Sequence, residues 1–476
     1  MKEWGAPSIE RGNGSRIDAG AGIVQNPALG ECMATNRSVV PPEAASFLDA
    51  NPDVRAVELL LPDLNAILRG KRISQRELAG LYREGISFPA TGILMDSRGG
   101  LIDGLTHGSD DGDPDYVCRP VAGSLARVPW SKTPLGQCLI SMYERDGRPY
   151  FADARHVLAG VLARFAALGL TPVVAVEYEF YLLDDVSGEV PRSRTGRVPG
   201  SERRPAGPRA YSLEDLHDLD GFFAQVTAAA EAQGVPAGAI VSEYGAGQFE
   251  VNLHHVKDAL AACDHAVLLR RLVRGIARQH GMAATFMAKP FASLDGSGMH
   301  VHFSLLDREG CNVFAPNPPA ATPDAYPDTL RHAVGGMLAA LPESLAIFAP
   351  NANSYRRFRP GFFVPIAPNW GPNHRQVALR IPTSDDANVR LEHRVAGADC
   401  NPYLAMAAIL AAAHAGITGR VAPPPMIREG GSVGVPGGGS PRWETALDAF
   451  NASRLWPDYL GAEFCPGCSC KKPKPH

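Results

Sequence analysis

The sequence lacks any apolar run near the roughly 18–20 residues of a membrane span. Its N-terminus, MKEWGAPSIERGNGSRIDAG, has no hydrophobic stretch of the kind a secretory leader carries. Cysteines show little pairing: six of nine (Cys32, Cys118, Cys138, Cys263, Cys311, Cys400) are scattered singly, as reduced intracellular thiols are. These absences predict a soluble, cytoplasmic chain. Strong net charge is also missing. A balance of −4 and a pI near 6.4 argue against nucleic acid or an anionic membrane as the main partner. There is no G-x-x-x-x-G-K-[ST] loop, no kinase glycine motif and no internal repeat.

A more local absence says more. From Asn353 to Pro382 the chain reads NSYRRFRPGFFVPIAPNWGPNHRQVALRIP, with five arginines (Arg356, Arg357, Arg359, Arg375, Arg380) and no Asp or Glu. Guanidinium groups without carboxylates nearby in sequence point to an anionic partner, carboxylate or phosphate.

At 476 residues the chain is long enough for two or more domains. Residues 1–40, aperiodic and rich in Gly, Asn and Ser, read as a disordered or weakly docked extension. Residues 41–140 read as a small α+β domain. It has a helical piece from Pro42, a strand over Val54–Leu61, a hairpin turn near Asn65 and a helix over Arg76–Glu84. A second domain begins near Ser141. The patterns predict helices over Ala152–Leu168, Leu213–Gln233, Ala259–His280, Thr329–Leu341 and Pro402–Ala415. They predict strands over Pro172–Leu183, Ile240–His254 (a pair or a bent strand), Thr285–Lys289 and Met299–Leu306. Arg192–Arg209, with six arginines among Pro and Gly, is a loop, either solvated or a flap beside the substrate. The tail 463–476 holds Cys465, Cys468 and Cys470. C-x-x-C is half a zinc site, but no second pair is close, so the segment reads as a flexible tail.

Four motifs carry chemistry. In VAVEYEFYL, Glu177 and Glu179 sit two apart and share one face of a strand otherwise apolar. Two such charges repel unless something positive lies between them, and a divalent cation does this naturally; two solvated carboxylates are the plainer alternative. In SEYGAGQFEVNLHH, Glu243 and Glu250 flank a Gly-Ala-Gly turn that folds two carboxylates toward one point. In KPFASLDGSGMHVHFS, a tight DGSG turn precedes His300 and His302, which share a face. In RLEHR, Arg390, Glu392 and Arg394 alternate along one face, as a ligand set or as a salt-bridge ladder. Hard oxygen ligands with one histidine favour magnesium or manganese over zinc. A divalent metal with arginine clamps is suited to phosphoryl transfer.

In order and spacing, Glu177-x-Glu179, Glu243 with GQFE, GSGMHVHFS, NSYRRF…PNHRQVALRIP and RLEHR…NPYLA resemble the glutamine synthetase family, over roughly residues 50–460. The resemblance implies an α+β fold: a small N-terminal β-grasp-like domain, then a catalytic domain over 141–462 on a curved antiparallel sheet flanked by helices. It implies a dodecamer of two stacked hexameric rings with active sites between subunits. It implies ATP as phosphoryl donor to the γ-carboxylate of L-glutamate, with Mg2+ or Mn2+, two or more ions per site. By motif match, Glu179, Glu243 and Glu250 would hold one metal, and Glu177, His300 and Glu392 the other. Gly296, Arg357 and Arg394 would bind glutamate. Arg375 and Arg380 would neutralise the phosphoryl group. His302, Ser304 and Arg390 would lie along the nucleotide, with Glu177 near it. Asp63 would be lent by a neighbouring subunit to the amine pocket.

The departures from the family bear on the nucleophile. Members that use ammonium carry Gly-Tyr-Glu-Ala-Pro where this chain has Gly361-Phe362-Phe363-Val364-Pro365. Phe363 stands in the place of the Glu, and a phenyl ring cannot accept a proton. Asp295, His374 and Ala387 also depart from the usual residues, and the family's final helices are expected to be truncated or replaced after Glu463. The expectation is an ATP-dependent glutamate–amine ligase. Its amine would be apolar, aniline-like or short alkyl, in a pocket near Phe362, Phe363 and Trp370, with Asp63 or Glu243 as base. The alternatives are a γ-glutamylpolyamine synthetase, an ammonium-using glutamine synthetase and a non-catalytic binding relative.

Overall fold

The computed structural model describes residues 41–102, 111–184, 191–196, 201, 203, 207–316, 325–359, 363–365, 367–428 and 440–464. The expectations for 1–40, for Phe362 and for the three tail cysteines lie outside these residues.

The chain opens with helix α1 (Pro42–Ala50) and the hairpin β1 (Ala56–Pro62) and β2 (Leu68–Ser74). The hairpin turn is built by Asp63. Its Oδ1 accepts the backbone N–H groups of Asn65 and Ile67 at 2.8 Å each, and its Oδ2 accepts from Arg69 Nε at 2.9 Å. Helix α2 (Leu78–Glu84) and strands β3 (Ile86–Pro89), β4 (Asp115–Pro120), β5 (Ala126–Arg127) and β6 (Leu135–Tyr143) follow. The strand order is β2-β1-β6-β4-β3, with β5 on β6 and β1 parallel to β6, a β-grasp-like sheet. Phe47, Val57, Leu59, Leu61 and Leu81 fill its core.

The second sheet has order β12-β13-β14-β11-β7-β9-β8, with β10 also on β7. Its strands are β7 (Thr171–Leu183), β8 (Ala237–Ser242), β9 (Gln248–Leu253), β10 (Ala283–Thr285), β11 (Met299–Leu306), β12 (Trp370–Pro372), β13 (Leu379–Ile381) and β14 (Leu391–His393). All pairs are antiparallel except β12 with β13. The helices are α3 (Ala154–Ala167), α4 (Leu213–Asp218), α5 (Asp220–Ala232), α6 (Ala259–Gln279), α7 (Asp328–Phe348), α8 (Pro402–Gly419), α9 (Trp443–Ala452) and α10 (Leu455–Leu460). One face of the sheet is core. Val174, Val176, Tyr178, Phe180 and Leu182 of β7 point into it, joined by Val301, Phe303 and Leu305 of β11 and by apolar residues of α3, α5, α6, α7 and α8. The intervening residues of β7 and β11 therefore face the other way, because side chains alternate along a strand.

Three helix and strand expectations need correction. The helix expected over Leu213–Gln233 breaks at Leu219 (φ −117°, ψ 16°) into α4 and α5. The strand expected over Thr285–Lys289 stops at Thr285. Phe286 turns into the core, and the Lys289 backbone bonds the Asn353 side chain instead of a strand. The helix expected to end at Leu341 runs on through Pro342 to Phe348. A proline forfeits one helix bond, but packing holds this helix. The α7–α8 contact is close enough that a Cβ on Gly336 would meet the Ala412 carbonyl oxygen at 2.3 Å, and one on Gly416 the His332 oxygen at 2.2 Å. Helix α8 alone among the described residues is long and apolar enough to cross a membrane, yet 78% of it is buried inside the protein.

Gly336→Leu is expected to lower stability by about 1–3 kcal/mol or more, through overpacking between α7 and α8. The control Gly80→Ala, on α2 with nothing within 4 Å of the new Cβ, should be neutral or stabilising. Urea unfolding followed by circular dichroism reads both, and equal midpoints would refute the close approach.

Candidate active site

The face of the second sheet turned away from the helices lines a cavity of about 670 Å³. Strand register assembles it. Glu179 lies opposite Glu250 across β7 and β9. His300 lies opposite Glu177 across β11 and β7. Glu392 on β14 has His302 on one side and Arg380 on the other. Glu243 follows β8, its backbone N–H donating to the Gln248 oxygen at 2.9 Å, so the Gly-Ala-Gly turn returns its carboxylate to the cavity.

Two ligand sets emerge: Glu177, His300 and Glu392, and Glu179, Glu250 and His300. In each, one donor atom per residue lies within 4.8 Å of the others. His300 Nδ1 is 3.3 Å from Glu177 and 3.9 Å from Glu250, and its Nε2 is 3.9 Å from Glu179. His302 Nε2 is 3.0 Å from the other Glu177 oxygen. Glu243 lines the cavity without joining either tight set.

Electrostatics test whether these residues suit a cation. Burial, then the charges of Glu177, Glu179 and Glu243, raise the Glu250 carboxyl well above the ordinary range. Burial and Glu179 push Glu243 up to about 7. Burial also works against ionising Glu177, but the imidazoles of His300 and His302 outweigh it and hold that carboxyl low. Burial opposes Glu392 too, but Arg394, His302, His300 and Arg380 bring it down to about 2. The cluster thus protonates some carboxylates to relieve repulsion, and a hard divalent cation would replace those protons. Oxygen donors with one imidazole fit Mg2+ or Mn2+.

The arginines ring the same cavity. Glu392 accepts from Arg380 Nη1 at 2.8 Å and from Arg394 Nη1. Arg394 Nε also donates to the Arg375 carbonyl at 3.0 Å. Arg357 is buried, donates to the Val395 carbonyl at 3.1 Å and has no partner for its Nε among the described residues. A Cβ on Gly296 would meet the Arg357 side chain at 2.6 Å, so glycine there admits the arginine. Arg375 is exposed on the cavity wall and Arg390 lines it, its Nη1 on the Asn388 carbonyl at 3.3 Å. The mouth is aromatic. Phe363, 55% exposed, meets Tyr244 edge to face at 5.1 Å between centroids, and Tyr211 lines the same wall.

Two expected residues stand elsewhere, and Asp63, expected to serve a neighbouring subunit, has a structural role in its own chain. Trp370 is buried, donates from Nε1 to the Pro424 carbonyl at 2.7 Å and packs near Tyr326; it is core, not a wall of the pocket. Ser304 shares the face of His302 but lies farther along β11, outside the cavity lining. Asp63 is fully buried in the first sheet with both oxygens engaged, so in its own chain it holds a turn together. Sequence reasoning missed Gln248, which donates to Glu179 at 3.2 Å and to the Gly296 carbonyl at 3.0 Å. It also missed Asn252, on Glu177 at 3.2 Å, and the Gly298 N–H, on Glu179 at 2.7 Å. Gln248 and Asn252 alternate with Glu250 on β9, a period that would have found both. Nothing in its spacing marked Tyr211.

A family model described as the glutamine synthetase catalytic domain matches residues 151–472. The chain belongs to the glutamine synthetase family. It is therefore a carbon–nitrogen ligase by family. It is 40% identical to the gamma-glutamylputrescine synthetase PuuA of Escherichia coli (strain K12), over 89% of this chain and 88% of that protein. It is 32% identical to the glutamate–isopropylamine ligase of a Pseudomonas species, over 78% of this chain and 80% of that protein. Among solved structures, one titled as a GmaS/ADP complex superposes with a TM-score of 0.76 at 26% identity, covering 91% of this chain and 95% of that one.

The raised carboxyls give a pH test. Glu243 and Glu250 hold protons in the fold that they lose when unfolded, where the ordinary value is 4.5. Their contribution to stability is full below that value and falls as pH rises, that of Glu243 being lost through about 7 and that of Glu250 through its own raised value. A bound divalent ion removes this loss. Mg2+ should therefore raise the melting temperature more at about pH 8 than at about pH 5.5. Thermal melts with Mg2+ and with EDTA decide it; an equal or larger rise at the lower pH would contradict the site.

Proposed function

We propose that this chain joins the γ-carboxylate of L-glutamate to an organic amine at the expense of ATP, giving a γ-glutamylamide, ADP and phosphate. Family membership supports the reaction class, and the arginine and carboxylate sets support its parts. Glu177, His300 and Glu392, with Glu179, Glu250 and Glu243, would hold divalent ions, which supply charge neutralisation for the phosphates. Arg357 and Arg394, with the backbone around Gly296, receive the glutamate. A γ-carboxylate oxygen takes the terminal phosphoryl group and ADP leaves. Arg375 and Arg380 face the charge that develops there. The amine nitrogen then attacks the acyl carbon and phosphate leaves. Glu243, at the cavity beside the aromatic mouth, accepts the amine proton. Arg390 and His302 lie where the nucleotide would pass. The ring assembly of the family, a dodecamer with sites shared between subunits, is part of this proposal.

The single observation that carries the choice of amine is Phe363 on Tyr244. A largely exposed phenyl ring paired with a second aromatic offers a surface to a carbon skeleton, and has no carboxylate to take a proton from ammonium. Our first reading is an apolar amine, alkyl or aniline-like. A second reading, a diamine of the putrescine kind, is favoured by the 40% identical relative and by Asp295, a carboxylate on the cavity wall. Its distal ammonium would rest on the faces of Tyr211, Tyr244 and Phe363.

ADP release measured with ammonium, isopropylamine, aniline and putrescine should be faster with at least one organic amine than with ammonium. Faster turnover with ammonium would sink the reading. Phe363→Glu should shift preference toward ammonium by about tenfold or more, the scale of one added charge contact; an unchanged order of amines would remove the mouth from specificity. Arg375→Ala should lower kcat by about 100-fold or more while nucleotide affinity falls less, since the charge it meets arises during transfer. Equal losses in both would deny it that role.

A further inference from the structure

A second cavity, of about 370 Å³, lies between the first sheet and α6, and nothing in the ligase reading uses it. Four arginines of α6 (Arg270, Arg271, Arg274, Arg278) line it together with one acid, Glu58, and the ring of Trp130. The acid is already engaged: Glu58 accepts from Arg271 and, at 2.5 Å, from Arg72. Arg271 also donates to Gln137 at 2.8 Å.

The other three arginines have no carboxylate partner among the described residues. Arg270, Arg274 and Arg278 fall on successive turns of one helix face, each step rising about 6 Å. Like charges at this spacing destabilise a helix, so the stripe works against the fold unless an anion is present. Arg270 is 5% exposed, and its Nε has no hydrogen-bond acceptor among the described residues. Only its Nη1 reaches a carbonyl, that of Cys400 at 3.3 Å. Arg274 has the Phe286 ring at 5.1 Å and no acid paired with it among the described residues; burial, with Arg270 beside it, lowers its pKa to about 10. A buried, unpaired guanidinium costs free energy that a bidentate oxyanion would return.

We infer that this cavity is a binding site for a small polyanion carrying phosphate or carboxylate groups, separate from the catalytic cavity. Its volume suits a compact metabolite. The excess of three positive charges, on side chains spread over about 12 Å of helix, suits a multiply charged ligand better than a single phosphate. Arg270 also stacks over Tyr178, with the guanidinium carbon 5.9 Å from the ring centroid. Tyr178 lies between Glu177 and Glu179 on β7, so an anion held by Arg270 would sit one side chain from the strand that carries the metal-site carboxylates.

The test is calorimetric titration of the full-length protein with tripolyphosphate and, separately, with citrate. The Arg274→Gln/Arg278→Gln double variant should weaken one binding event about tenfold or more. The active-site variant Arg375→Ala should keep that event. Without added anion the double variant should melt at the same temperature as the parent or higher, because unpaired like charges are gone. Binding of tripolyphosphate alone assigns the site to phosphates, and binding of both assigns it to oxyanions in general. The proposal is overturned if neither probe binds at about 10 mM, weaker than ordinary metabolite affinities. It is also overturned if the double variant binds as the parent does, or if Arg375→Ala abolishes the event. A lower melting temperature of the anion-free double variant overturns it as well, since the arginines would then already be paired by another part of the chain or by a second copy.

Discussion

The pairing of β7 with β9 on one side and β11 on the other is the constraint on which the catalytic cavity depends. Side chains alternate along a strand, so a one-residue slip would exchange the two faces. The core prevents that slip. Val174, Val176, Tyr178, Phe180 and Leu182 are all buried against helices, and a shift would drive Glu177 and Glu179 into that layer. The hydrophobic face therefore sets the register, and the register brings Glu179 to Glu250 and Glu177 to His300. Apolar packing on one side of the sheet organises the charge on the other.

That organised charge is unbalanced in two places, with opposite sign. Around Glu179, Glu243 and Glu250 there are more carboxylates than cations, and the proton affinities of Glu243 and Glu250 rise accordingly. Around Arg357, Arg375 and Arg390 there are guanidinium groups with few acceptors. Glu392 joins the two regions. It pairs with Arg380 and Arg394 on one side and lies within donor distance of Glu177 and His300 on the other. An anionic group entering beside the arginines, together with a cation entering among the carboxylates, completes both. A metal–phosphate complex has this arrangement of charges.

Much of this was legible in the sequence, and the misses have physical causes. The alternation in VAVEYEFYL identified β7 and its charged face, since apolar and acidic residues there follow a strict period of two. The arginines of Asn353–Pro382 were legible because no acid accompanies them. Trp370 was misplaced because proximity in sequence to Phe363 says nothing about direction; β12 turns its indole toward Pro424 and the core. Asp63 was read from its motif as an acid lent to a neighbouring subunit; in its own chain its oxygens close the β1–β2 turn. The break at Leu219 and the passage through Pro342 were illegible because tertiary packing overrides local preference at both points.

By itself the sequence determined the family, the α+β class, the strand carrying the paired glutamates and the aromatic residue in the place of a base. These follow from residue identity and local period, which do not depend on distant contacts. Only the tertiary structure decided which carboxylates share a ligand set, that Trp370 is core, and that Tyr244 faces Phe363 across the mouth. It alone decided that four arginines of α6 border a cavity against the first sheet. Those outcomes depend on strand register and helix packing between residues far apart in the chain, where spacing carries no information.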